Sequence, residues 1–409
     1  MDASTEAVRE LYELFPYPSG SPKVRLGFDA RYLLSLVTLE RPAGRPLRVL
    51  DAGCSRGVGT LALAVLQPDV QVLGIDLNRV ALEEARAEAA RRELTNIEFA
   101  EVDLSNLDGL VVPDGGFDVI ICSGVLHHLV DPTAGLRRLK EVLAPHGVLN
   151  LMVYSKTGRR EILEVSRAID TLVDKALPIP GQLEQARKMV AEIAADPDAG
   201  EIWREATTLD DVEFVDRYLH IQERVYDVPE LFQLIEDGGL EFLRWTDPAT
   251  WRLNPGAVGE VVAGQVMGLG DKQLAHLVDN LGQGPPVMEV YMCQPGNSLR
   301  PAPGAAQLGD TVFAAHPEVR FVSKIRNTWC ATRTEALGVE LRTGEATLLA
   351  PGPLHSLVGI LATQNQPFFG RDLIGILKQE GHSPAVCQAT FFEALQREWL
   401  YCPHSVELG

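Results

Sequence analysis

Nowhere in the 409 residues do about 18 apolar positions run without interruption, so no segment reads as a membrane-spanning helix. The N-terminus, MDASTEAVRELYELF, is acidic and amphipathic where a secretory leader would be basic and then apolar. A cytoplasmic protein with no membrane partner is expected. The six cysteines, Cys54, Cys122, Cys293, Cys330, Cys387 and Cys402, stand singly, with no C-x-x-C pair and no histidine at ligand spacing. That spacing argues against a disulfide framework and against a bound metal. Cations are scarce too: 37 Lys and Arg against 56 Asp and Glu leave a net charge of −19, a field that repels a phosphate backbone, so nucleic acid is not an expected partner. Repeats and low-complexity runs are also missing. What is present is 46% hydrophobic residues, enough for a substantial core in a chain long enough for more than one domain.

From Leu47 onward short apolar runs alternate with amphipathic helical stretches, the signature of βαβ units and a mostly parallel sheet. The runs are 47–53, 70–77, 96–104, 117–124 and 147–154, and a sixth and seventh follow at 240–246 and 287–293. The pattern predicts a doubly wound, seven-stranded α/β sheet of Rossmann-like type over residues 1–295. Residues 155–227 read as a helical insertion, a lid over the strand ends, and further helices are expected near 259–268 and 271–282. The Pro/Gly/Ala-rich stretch 296–310 reads as a linker, and 311–409 as a small α+β accessory domain of winged-helix-like order.

The chemistry is carried by VLDAGCSRGVGT, an acid at the end of a buried strand, a turn of small residues and a helix start. Gly53 and Gly57 let the backbone approach a ligand, and the helix N-terminus offers free N–H groups. Dinucleotide dehydrogenases use such a turn as well. Asp51, however, would repel a pyrophosphate, whereas it can receive the methionine ammonium of S-adenosylmethionine (SAM). Asp76 ends the next strand, where a carboxylate accepts both ribose hydroxyls, a role shared by NAD and SAM folds. Asp103 ends the third strand, placed to accept from the adenine amine between Leu77 and Leu104, and favours SAM. Taken singly, each strand-end Asp also reads as a turn-former. Cys54, Ser123 and Gly124 complete the expected cofactor wall.

These residues, with GIDLN, FDVI and GVLHHL…DP, resemble the core of class I SAM-dependent methyltransferases over 47–154. Ser55 departs from that pattern, which often has a second glycine there. ELYELFPYP (10–18), YSKTGRREI (154–162) and YLHIQERVYDVPELFQLIEDGGLEFLRW (218–245) resemble one bacterial group of such enzymes across roughly 1–295. AAHPEVR (314–320) and APGPLHSLVGIL (350–361) bear a faint resemblance to the region appended to bacterial protein-lysine methyltransferases.

The resemblance implies methyl transfer from SAM, an in-line displacement that needs alignment more than a metal. The acceptor should approach the ends of the fourth and fifth strands. His127 is the candidate base, with packing against the cofactor as its alternative, and His128 is a weaker candidate. Tyr154 either hydrogen-bonds an acceptor or caps the sheet. His220, Arg224 and Tyr226 either bind an acceptor carboxylate or pack the lid. Tyr12, Phe15, Tyr17 and Pro18 form an aromatic element that wraps the cofactor mouth or staples the first helix, while Arg159 and Arg160 read as solvent-facing. The expected acceptor is a small metabolite or natural-product intermediate. A protein lysine is the alternative, since an acidic surface attracts basic substrates. A non-catalytic SAM-binding regulatory protein is the reading from another class, and a homodimer is compatible with all three.

Overall fold

The computed structural model describes residues 3–19, 29–253, 265–266, 268–327, 332–341, 347–350, 352–362 and 366–404. The expectation of a helix at 259–268 lies largely outside these residues. The chain divides into two compact units, Met1–Gly27 with Arg45–Ser298, and Phe28–Gly44 with Leu299–Gly409.

The first unit opens with α1 (Ala3–Leu14) and is built on a seven-stranded sheet: β1 (Leu47–Ala52), β2 (Val70–Asp76), β3 (Ile97–Glu101), β4 (Phe117–Ser123), β5 (Leu143–Tyr154), β6 (Glu241–Trp245) and β7 (Val287–Cys293). Strand order is β3-β2-β1-β4-β5-β7-β6. β1 to β5 run parallel and β7 antiparallel to both neighbours. Order reverses between β1 and β4, so their carboxyl ends open a crevice where open α/β sheets bind ligands. Crossovers are helices α3 (Val58–Leu66), α4 (Arg79–Arg91) and α5 (Pro132–Val142). Asn78 caps α4 by accepting from Ala81 N, and Asp131 caps α5 by accepting from Ala134 N. β5 starts at Leu143, four residues before the expected 147, because its pairing with β4 already begins at Phe117 and Leu143.

Four helices fill the stretch after β5: α6 (Arg160–Leu172), α7 (Ile179–Ala194), α8 (Glu201–Thr208) and α9 (Asp211–Tyr218). Their apolar faces make a separate core with Leu11 of α1, including Val165, Ile169, Val190, Phe214 and Val215. Helix α10 (Val228–Asp237) begins with a capping box between Asp227 and Glu230 and packs its apolar stripe on the sheet core with Leu149, Val290 and Trp245. Helix α11 (Asp271–Asn280) precedes β7. No helix among the described residues is long and apolar enough to cross a membrane.

The second unit is α+β. Strands β9 (Val319–Asn327), β10 (Thr332–Leu341) and β11 (Thr347–Leu349) form one antiparallel sheet, and β8 (Val312–Ala315) pairs with β12 (Phe368–Phe369) and β13 (Leu400–Tyr401). Helices α12 (Pro353–Leu361), α13 (Gly370–Gln379) and α14 (Pro384–Gln396) contribute Leu357, Leu377 and Phe391 to its core. Two boundaries differ from the sequence reading. Helix α2 (Ala30–Ser35), placed by that reading in the first domain, belongs here: buried Tyr32 meets His316 and Tyr401, and Arg300 N donates to Leu36 O at 2.7 Å. The stretch read as a linker from 296 to 310 supplies Leu308, only 1% exposed, to this core.

Candidate active site

At the crevice, buried Asp51 accepts from Thr60 Oγ1 at 2.6 Å. Burial pushes its carboxyl up to about 6, only partly offset by the Thr60 hydrogen bond, and nearby Asp76 adds to the rise. A buried carboxylate with no cation beside it is suited to receive one. Gly53 turns the chain at φ +88°, and a Cβ there would lie 2.2 Å from Val125 Cγ2, so only glycine fits. Ser55, standing where the resembling family has glycine, takes φ +47°. Its N–H donates to Asp76 Oδ2 at 2.7 Å and its hydroxyl to Tyr17 O at 2.5 Å, which hold the left-handed turn.

Asp76 also accepts from Asn78 N at 2.8 Å through Oδ1. Burial raises its pKa against these backbone bonds. With a further backbone bond from Leu77, three of its roughly four acceptor sites are used, which leaves room for a hydroxyl. Half-buried Asp103 accepts from Ser105 N at 2.8 Å. Leu104 is buried in the sheet core and Leu77 is half-buried. Cys54 is buried, and burial keeps its thiol protonated, so it forms wall and not nucleophile. Ser123 is exposed at the end of β4, and Gly124 follows at φ +77°. A carboxylate for an ammonium, a glycine turn for close backbone approach and an acid with room for a ribose hydroxyl together fit SAM.

Beyond Gly124 a 3-10 turn, Leu126–His128, carries two histidines inward. His127 is fully buried, neither of its ring nitrogens has a partner among the described residues, and its ring lies 4.1 Å from that of Tyr154 at the end of β5. The Arg159 guanidinium stacks 3.6 Å above Tyr154, and its Nη2 is 3.6 Å from Glu223 Oε1. His128 stacks on His220 at 3.9 Å and places Nδ1 3.0 Å from Gln222 O. Tyr12 of α1 approaches His220 at 5.5 Å and donates its hydroxyl to Asp216 at 3.0 Å. Burial, reinforced by His128, holds His127 and His220 well below the ordinary imidazole value, so both are neutral at pH 7. Burial lifts Glu223 to about 7 against the pull of Arg159, and Asp216 to about 6 against its Tyr12 bond.

Residues 44–213 match a family model described as a methyltransferase domain. An uncharacterized protein of Synechococcus sp. is 34% identical over 266 residues, covering 61% of this chain and 62% of the relative. The uncharacterized methyltransferase C1B3.06c of Schizosaccharomyces pombe is 33% identical over 133 residues, covering 30% of this chain and 48% of the relative. The chain thus spans less than two thirds of the length of these curated relatives. The solved structure of PKMT2 from Rickettsia typhi in complex with AdoHcy has a similar fold, with a TM-score of 0.66 at 17% identity, over 92% of this chain and 75% of that one. Residues 44–213 are a methyltransferase domain.

Within the methyltransferase domain, Asp51, Gly53, Cys54, Gly57, Asp76, Leu77, Asp103, Leu104, Ser123 and Gly124 all fall at or just beyond the carboxyl ends of β1 to β4. On the acceptor side, His127, Tyr154 and His220 come together with His128. Arg224 does not join them: it is exposed and its Nη2 donates to Val130 O at 2.8 Å, which fastens its loop to the end of the 3-10 turn. Tyr226 is buried with the sheet core, its N–H bonded to Tyr154 O at 3.0 Å. Arg159 reverses the sequence reading, since it is 7% exposed and not solvent-facing. Asp216 and Glu223 were not singled out in the sequence, although Glu223 lies within YLHIQERVY, whereas Tyr12 stood out there only as an aromatic.

Proposed function

We propose that this domain transfers the SAM methyl group to a small-molecule acceptor enclosed at the carboxyl ends of β4 and β5. The observation that carries the reading is the buried cluster of His127, Tyr154, Arg159, His220 and Glu223, in which several polar atoms have no partner and α1, Arg159 at the head of α6, and the α9–α10 segment all contribute walls. SAM supplies a methyl group on a sulfonium, open to in-line displacement. The task left to the chain is alignment and exclusion of water. Asp51 and Asp76 would hold the cofactor's ammonium and ribose, and Asp103 would accept from its adenine amine. Neutral His127 offers a lone pair where the acceptor loses its proton. Tyr154, in ring contact with His127 and beneath the Arg159 guanidinium, orients the acceptor.

A protein acceptor is the second reading, favoured by the fold likeness to PKMT2, which extends over 92% of the chain and so includes the second unit. Incubation with methyl-labelled SAM, a small-metabolite extract and basic peptides separates the two. Label in the metabolite fraction alone supports the proposal, and label confined to peptides overturns it. SAM binding without transfer to either would favour a regulatory protein. His127→Ala should lower transfer while leaving S-adenosylhomocysteine (SAH) bound.

A further inference from the structure

Arg159 enters the cluster from the start of α6 with its guanidinium face on Tyr154. Its Nε and Nη2 are both buried and neither makes a hydrogen bond among the described residues. These two nitrogens share one edge of the guanidinium, and their N–H groups point the same way, at the spacing that matches the two oxygens of a carboxylate. Glu223 does not fill that edge: Oε1 stands 3.6 Å from Nη2, and Oε2 is itself buried without a partner. Buried donors without acceptors are rare in folded chains unless a ligand supplies the acceptor. Glu223 and Asp216 both face this region, so a singly charged carboxylate is favoured over a doubly charged phosphate. The path from Arg159 through Tyr154 to His127 spans a cation–π contact of 3.6 Å and a tilted ring contact of 4.1 Å, the reach of a small molecule.

We propose that Arg159 determines acceptor specificity: its Nε/Nη2 edge receives the carboxylate of a small organic acid whose nucleophilic atom is thereby directed toward His127. The inference rests on the methyltransferase reading above and names its substrate class. Arg224, at first sight the better placed arginine in YLHIQERVY, is exposed and engaged with Val130.

The test uses the full chain saturated with SAH and four probes, acetate, benzoate, 3,4-dihydroxybenzoate and 4-aminobenzoate, each against its primary amide, read by titration calorimetry and by Tm. At least one acid should bind tenfold or more tighter than its amide. Arg159→Lys, which keeps the charge but loses the fork, and Arg159→Gln should each remove most of that preference while SAH affinity stays within twofold. If Arg159→Gln fails to fold, Arg159→Lys carries the test. No acid preferred over its amide in the wild type, or a preference that survives in Arg159→Lys, overturns the proposal. A tenfold loss of SAH affinity in Arg159→Lys also overturns it, assigning the edge to the cofactor's own carboxylate. Failure of the wild type to bind SAH at all would instead refute the methyltransferase reading.

Discussion

At the lower end of β4, Asp118 is wholly buried and accepts from Arg45 Nη1 at 2.7 Å, Arg45 Nη2 at 2.6 Å and Arg48 N at 2.8 Å, with His146 Nε2 at 2.6 Å. Just past the upper end of the same strand, His127 is equally buried and bonds to nothing through its ring. Burial pushes Asp118 up, yet its hydrogen bonds from His146 and Arg45 outweigh that and hold it below the usual carboxylate range. At the upper end burial prevails, and Glu223 and Asp216 rise instead. The difference lies in what answers burial along one strand: at the lower end charged partners satisfy Asp118, and at the upper end the ring of His127 is left unsatisfied, which is the condition a ligand could relieve.

The largest effect should come from the satisfied end. Asp118→Ala strands Arg45 and His146, and about 3–5 kcal/mol of stability should be lost in urea denaturation, with SAH affinity preserved. If SAH affinity fell in step with stability, the two ends would not be independent. Next in size, Asp76→Ala should weaken SAH by about 1–3 kcal/mol in calorimetry through unpaired ribose hydroxyls. An unchanged affinity would move the site.

Asp51 sharpens the comparison through pH. With burial raising it to about 6, the free protein holds that proton below pH 6, whereas the ligand's ammonium favours the ionised form. Binding below pH 6 must therefore expel a proton. Affinity for SAH should be flat above 6 and decline by up to about 1.4 kcal/mol per pH unit beneath it. Asp51→Asn should flatten the slope. The smallest effect belongs to Arg224→Ala, expected within about 0.5 kcal/mol in thermal denaturation because the group is exposed.

The cofactor end was legible because each acid follows an apolar run directly, so local period and turn chemistry placed Asp51, Asp76 and Asp103 together. The acceptor end was not. Arg159 precedes an amphipathic helix, where a charged residue ordinarily reads as solvated, and only the Tyr154 ring makes it an inside residue. Asp216 sits among Phe214, Val215 and Tyr218 on one short helix, and that apolar surround was the available signal. Helix α2, ARYLLS, is equally compatible with either unit, since so short an apolar run carries no address. His127, Tyr154 and His220 were singled out because they lie at strand ends or in a dense polar motif, and the fold brings their rings together with His128. Arg224 and Tyr226 shared that motif, and the fold turned them elsewhere.

The N-terminal segment is fastened to the cofactor loop by Asn78 Nδ2 on Tyr12 O, Ser55 Oγ on Tyr17 O and Arg56 Nη1 on Pro18 O. All three acceptors are main-chain carbonyls, so drift in the side chains at 12, 17 and 18 leaves the fastening intact. The Ser55 hydroxyl bond to Tyr17 O also braces the left-handed turn whose N–H holds Asp76, so Ser55→Ala would cut one of the three links between the N-terminal segment and that loop.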